Sequence, residues 1–99
     1  MKINVIRQAC CGADDQVNRL DAIYEVDDDT TLGALLKKIC SSNFLQYSST
    51  HNRLIAEAAG RQIAEVSCSG DPTWNLEASP TEPAATAIGK NTLRFFFRL

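Results

Sequence analysis

The chain closes on Asn-Thr-Leu-Arg-Phe-Phe-Phe-Arg-Leu, residues 91–99, and this stretch constrains the fold more than any other. Alternation places Leu93, Phe95, Phe97 and Leu99 on one side of a strand, and Arg94, Phe96 and Arg98 on the other. The first set can close a core. The second holds an apolar ring between two guanidinium groups. Such a strand is expected in the middle of a sheet.

The preceding chain supplies partners for it. Residues 2–8 alternate, with Ile3 and Val5 on one side and Lys2, Asn4 and Ile6 on the other. Residues 10–18 read as a polar connector, because Gly12, Asp14 and Asp15 are turn formers. Residues 20–26 read as a second strand with Ala22, Tyr24 and Val26 facing in and Ile23 and Glu25 facing out. Then Leu32, Leu35, Leu36 and Ile39 form the stripe of an amphipathic helix. Thr30 or Thr31 can cap it, and Asp27, Asp28 and Asp29 sit where its dipole is positive. Gly33 costs this helix about 1 kcal/mol relative to alanine, so it must rely on packing. The helix is expected to stop between Ser41 and Asn43, followed by a connector from Phe44 to Asn52 whose rings tuck under the sheet.

Residues 53–65 read as a hairpin turning at Ala59-Gly60. Residues 68–87, with Pro72, Pro80, Pro83 and Gly70, read as a long irregular loop. Trp74 and Leu76 are its candidate anchors, and residues 84–88 can form a helical turn. The expected fold is α+β: a mixed sheet of four to five strands packed on one central helix. A chain of 99 residues is one domain, residues 1–99. At that size about 65% of the unfolded surface is buried without staples.

Order and residues together resemble the ubiquitin-like β-grasp family. Glu25-Val26, then Thr31-Leu32 and Lys38-Ile39, is similar to ubiquitin's second strand and helix start. Arg53-Leu54-Ile55, then Ala59-Gly60-Arg61-Gln62, resembles its Arg-Leu-Ile strand and Ala-Gly-Lys-Gln turn, with one or two extra residues here. Thr92-Leu93 and Arg98-Leu99 resemble its Ser-Thr-Leu to Leu-Arg-Leu ending. Together these segments cover about half the chain. The resemblance implies a recognition face around Ile55 and Phe96, rimmed by Arg53, Arg94 and Arg98. The family's conjugation chemistry needs a flexible Gly-Gly tail, and the sequence stops at Leu99, where that tail would begin. The expected function is therefore a non-catalytic protein-interaction module. The alternative is a covalent modifier or sulfur carrier whose tail is absent from this chain. The family's chain-linking lysine position holds Arg61.

Phe96 has a bland reading too, in which the long loop folds back and covers it with Trp74 or the prolines. Other chemistry is thinner. Cys10 and Cys11 are adjacent, and Cys40 and Cys68 are isolated, so no standard zinc-ligand spacing exists with His51. Reduced thiols are expected, with Cys40 half-buried behind the helix stripe; a strained disulfide between Cys10 and Cys11 is the redox alternative. A Cys68, His51 and Asp71 nucleophile set is formally available without any nucleophile-turn motif. Asp27 to Asp29 lack the spacing of a calcium loop. No catalytic residue, metal or cofactor is expected. A net charge of −2 argues against sequence-independent nucleic-acid binding. No apolar run is long enough to span a membrane. A cytoplasmic monomer whose partner is another protein is expected.

Overall fold

The computed structural model describes residues 1–9, 20–42, 44–47, 52–67, 70–75 and 78–97, with the backbone alone at 70 and 71. Six strands and two helices lie within them: β1 (Lys2–Arg7), β2 (Asp21–Glu25), α1 (Leu32–Ser41), β3 (Arg53–Ala58), β4 (Arg61–Ser67), β5 (Gly70–Trp74), α2 (Ala84–Ala87) and β6 (Leu93–Phe97). The strands form one mixed sheet in the order β2-β1-β6-β3-β4-β5. β1 and β6 run parallel, and every other pair is antiparallel.

The closing strand lies where its residues demand. β6 pairs with β1 on one side and β3 on the other. Leu93, Phe95 and Phe97 are buried, whereas Arg94 is exposed. Beneath them lie Ile3 and Val5 of β1, Leu54 of β3, Ile63 and Val66 of β4, and the α1 stripe Leu32, Leu35, Leu36 and Ile39. Leu45 is buried, and Phe44, Tyr47 and Trp74 pack against the same cluster.

The hairpin turns on two residues in the left-handed region, Ala59 at φ 55° and Gly60 at φ 76°. That is the turn whose twist matches a two-residue hairpin. A bulge follows, since Ala56 faces Ala64 while Glu57 faces Gln62. Ile63 is the extra residue, and the bulge keeps it in the core beside Ala64.

The structure departs from the sequence reading in strand count, helix count and the segment 68–87. Residues 70–74 form an edge strand on β4 instead of a loop. Gly70 and Pro72 gave the loop reading, but an edge strand pairs on one side only and tolerates a proline. Residues 84–87 form α2, the expected helical turn. Between β5 and α2 the chain docks on the start of α1. Leu32 and Gly33 donate their amides to the carbonyls of Glu82 and Pro80, at 2.8 and 2.9 Å, and Thr31 Oγ1 accepts from Ala34 N at 3.2 Å. The open amides of the first helical turn are thereby all filled. Arg61 of β4 clasps Glu82 at 3.0 Å, tying the second hairpin to this segment.

Candidate protein-binding face

Both helices leave one face of the sheet open. Along β1 the exposed positions are Lys2, Asn4 and Ile6, and along β2 they are Asp21, Ile23 and Glu25. β6 contributes Arg94 and the half-buried Phe96. β3 contributes the exposed Arg53 and the half-buried Ile55 and Glu57.

Register then decides which of these meet. Ile55 lies directly opposite Phe96. Cross-strand pairs of an aromatic with a β-branched residue are favourable by up to about 1 kcal/mol, and they hold both side chains in place. On the other side of β3, Ile55 faces Glu65, and Arg94 faces Glu57. Arg94 also stands beside Ile6 across the parallel pair. The structure thus brings Ile55, Phe96, Arg53 and Arg94 onto one face. Arg98 lies outside the described residues, as does Leu99. The rim is mixed, because Glu57 and Glu65 interleave with the arginines.

Two shallow hollows flank the Ile55–Phe96 pair. One is lined by Ile6, Gln8, Arg94 and Phe96, the other by Ile55, Gln62, Glu65 and Thr73 among others. Trp74 packs against the core, while Pro80 and the neighbour of Pro83, Glu82, meet the start of α1. Trp74 also lines the hollow beside Ile55, and residues 76 and 77 of its segment lie outside the described residues.

Ile6 and Ile23 belong to this face and were left out of the sequence-based site. Their outward orientation is readable from alternation. Their nearness to Phe96 is not, because it depends on β1 lying parallel to β6. With them, the apolar residues run as a diagonal, Ile23–Ile6–Phe96–Ile55, across β2, β1, β6 and β3. Ile6 and Ile23 are 44% and 66% exposed, the two large apolar residues most open to solvent among those described.

Elsewhere the titratable chemistry is sparse. Cys40 is exposed, not tucked behind the helix stripe, because it follows the last buried stripe residue, Ile39. Partial burial of its side chain still pushes the thiol above its ordinary value of 9.0. Cys10, Cys11, His51, Cys68 and the side chain of Asp71 lie outside the described residues. Among those described, no three histidine, cysteine or acidic residues are grouped to hold a metal. No helix there is long and apolar enough to cross a membrane.

Arg7 is a buried charge that the sequence reading did not flag. It shares the core side of β1 with Ile3 and Val5 and is 2% exposed. Its guanidinium lies 5.3 Å from the centre of the Phe44 ring, which meets Tyr24 edge-on. This arrangement seals the end of the core beneath β1.

Compared with protein-family models, curated proteins and solved structures, the chain matches none. The class the geometry defines is a small α+β domain with a mixed six-stranded sheet, helices on one face and an apolar diagonal on the other.

Proposed function

We propose that the chain is a non-catalytic, ubiquitin-like protein-interaction module of β-grasp architecture, acting in the cytoplasm through the open face of its sheet. The β-grasp reading is supported by a hairpin, a crossover carrying the main helix, a second hairpin, and a last strand running parallel to the first between the two. β5 and α2 are then additions inserted before that last strand. The function rests on one observation above all: Ile55 and Phe96 stand side by side, half-buried, on the sheet face that neither described helix covers, framed by Arg53 and Arg94.

An exposed apolar pair of this kind gives a partner a desolvated anchor, while the surrounding charges orient its approach. The patch is small, so binding is of modest affinity. A photo-crosslinking residue at position 92, on the rim beside β6, tests the reading in a lysate of the native host. A specific protein should be trapped by the wild type and lost from Phe96→Asp. Equal trapping by Phe96→Asp and Ile55→Glu would refute this face as the binding surface.

A further inference from the structure

The spacing of charge around Ile55 and Phe96 narrows what can dock there. β3 and β6 are antiparallel and Ile55 lies opposite Phe96, so Arg94 and Arg53 fall at opposite ends of the apolar pair. Arg94 precedes Phe96 by two residues on β6, and Arg53 precedes Ile55 by two on β3. Each two-residue step along a strand is about 7 Å. Both arginines are exposed, and among the described residues neither takes part in an ion pair. Glu57 is half-buried opposite Arg94 without pairing to it. Asp21 and Glu65, also on this face, already have interactions of their own. On the β1 side of Arg94, the hollow between Ile6 and Phe96 is lined by no acidic residue. A carboxylate can reach Arg94 across that hollow without meeting Glu57, which lies on the other side of β6.

Main-chain groups take no part in recognition here. β1, β6 and β3 are each paired on both sides, so a partner meets side chains only. An extended segment has the same rise per residue as the strands beneath it, and its alternate side chains fall in step with theirs. We propose that this face takes an extended segment of a partner protein with the pattern acidic-x-aliphatic-x-acidic, an inference that rests on the reading of the face given above. The aliphatic residue sits on Ile55 and Phe96, and the two acidic residues sit on Arg94 and Arg53. Because the arginines stand on neighbouring strands, the segment crosses them at a slant of about 20°, within the range at which sheets stack. Guanidinium groups hold carboxylates through two parallel bonds, which makes the ends of the segment selective for acids. The apolar contact supplies the anchor between them.

The test uses the whole chain and labelled peptides, followed by fluorescence anisotropy. Gly-Ser-Glu-Thr-Leu-Thr-Glu-Ser-Gly should bind saturably, and Phe96→Asp should abolish that binding. Gly-Ser-Thr-Glu-Leu-Glu-Thr-Ser-Gly has the same composition and charge but turns its glutamates away from the leucine side. It should bind about tenfold more weakly. The double variant R53E/R94E should lose the first peptide and take up its lysine version instead. If that variant fails to melt cooperatively, the two glutamate peptides on the wild-type protein still decide. Equal binding of those two peptides, no binding of either, or a dimer in sedimentation equilibrium that Phe96→Asp dissolves would each overturn the proposal. The face itself is judged by the crosslinked protein: its loss from Phe96→Asp while neither peptide binds removes this partner class and leaves the face standing. Peptide binding that survives Phe96→Asp removes both.

Discussion

Ala59 is held at φ 55°, in the left-handed region where a residue with a Cβ is strained by about 1–2 kcal/mol. Asparagine tolerates that region, and Asn-Gly is the favoured pair for a turn of this type. Ala59→Asn should therefore raise the stability by about 0.5–1 kcal/mol, read as an increase in the denaturation midpoint at unchanged slope. A lower midpoint would mean that the turn is not of this type. Gly33 shows the opposite relation between residue and backbone. Its φ is ordinary, and the sequence gives only its cost to the helix. The structure supplies the reason for it: a Cβ there would sit 3.0 Å from Pro80 O and 3.1 Å from Pro80 Cβ. The strap at Pro80 can approach the helix so closely because the side chain is missing. No local pattern could reveal this, since Pro80 is far from Gly33 along the chain. Arg7 was hidden for a related reason: alternation placed it inward, but nothing in the sequence placed the Phe44 ring over it.

At the level of the strand, alternation alone carried most of the reading. β1, β3 and β6 each show one buried side and β2 one half-buried side, so their faces could be assigned before their neighbours were known. The helix was equally open to reading, because its stripe and its Thr31 cap are local features. β5 was missed because its residues carry turn chemistry and only pairing with β4 makes them a strand. Ile63 and Val66 do not share the spacing of one strand face; the bulge reconciles them. The two neighbouring rings of β6 test the face assignment directly. Phe95 is 1% exposed, and Phe95→Ala should cost about 3–5 kcal/mol by leaving a cavity. Phe96 is half-buried on the open side, so Phe96→Asp loses a cross-strand pair and some strand preference, about 1–2 kcal/mol. Chemical denaturation of both variants distinguishes them. Equal losses would show that both rings are core.

Across the whole molecule, the strap formed by residues 79–83 links elements that are far apart in sequence. Its carbonyls fill the first amides of α1, Ala84 N donates to Thr30 O, and Glu82 is held by Arg61 of the hairpin. The start of the helix and the β4 side of the sheet are thus tied together through one segment. An isolated helix exposes the amides of its first turn, and those amides exchange fast. Here the amides of Leu32 and Gly33 should exchange slowly, at rates nearer those of the helix interior. The slowest amides should lie in β6 and its neighbours β1 and β3, which are paired on both sides, whereas β2 and β5 should exchange sooner. Removing the clasp with Arg61→Ala takes away a partly buried pair worth about 1 kcal/mol. Because the strap has its own contacts, the fold should survive. The change should appear first at Leu32 and Gly33, whose protection should fall more than that of β6. Uniform loss across the sheet would instead mean that the strap and the core open together as one unit. Undiminished protection at Leu32 and Gly33 would mean that the strap is held without Arg61.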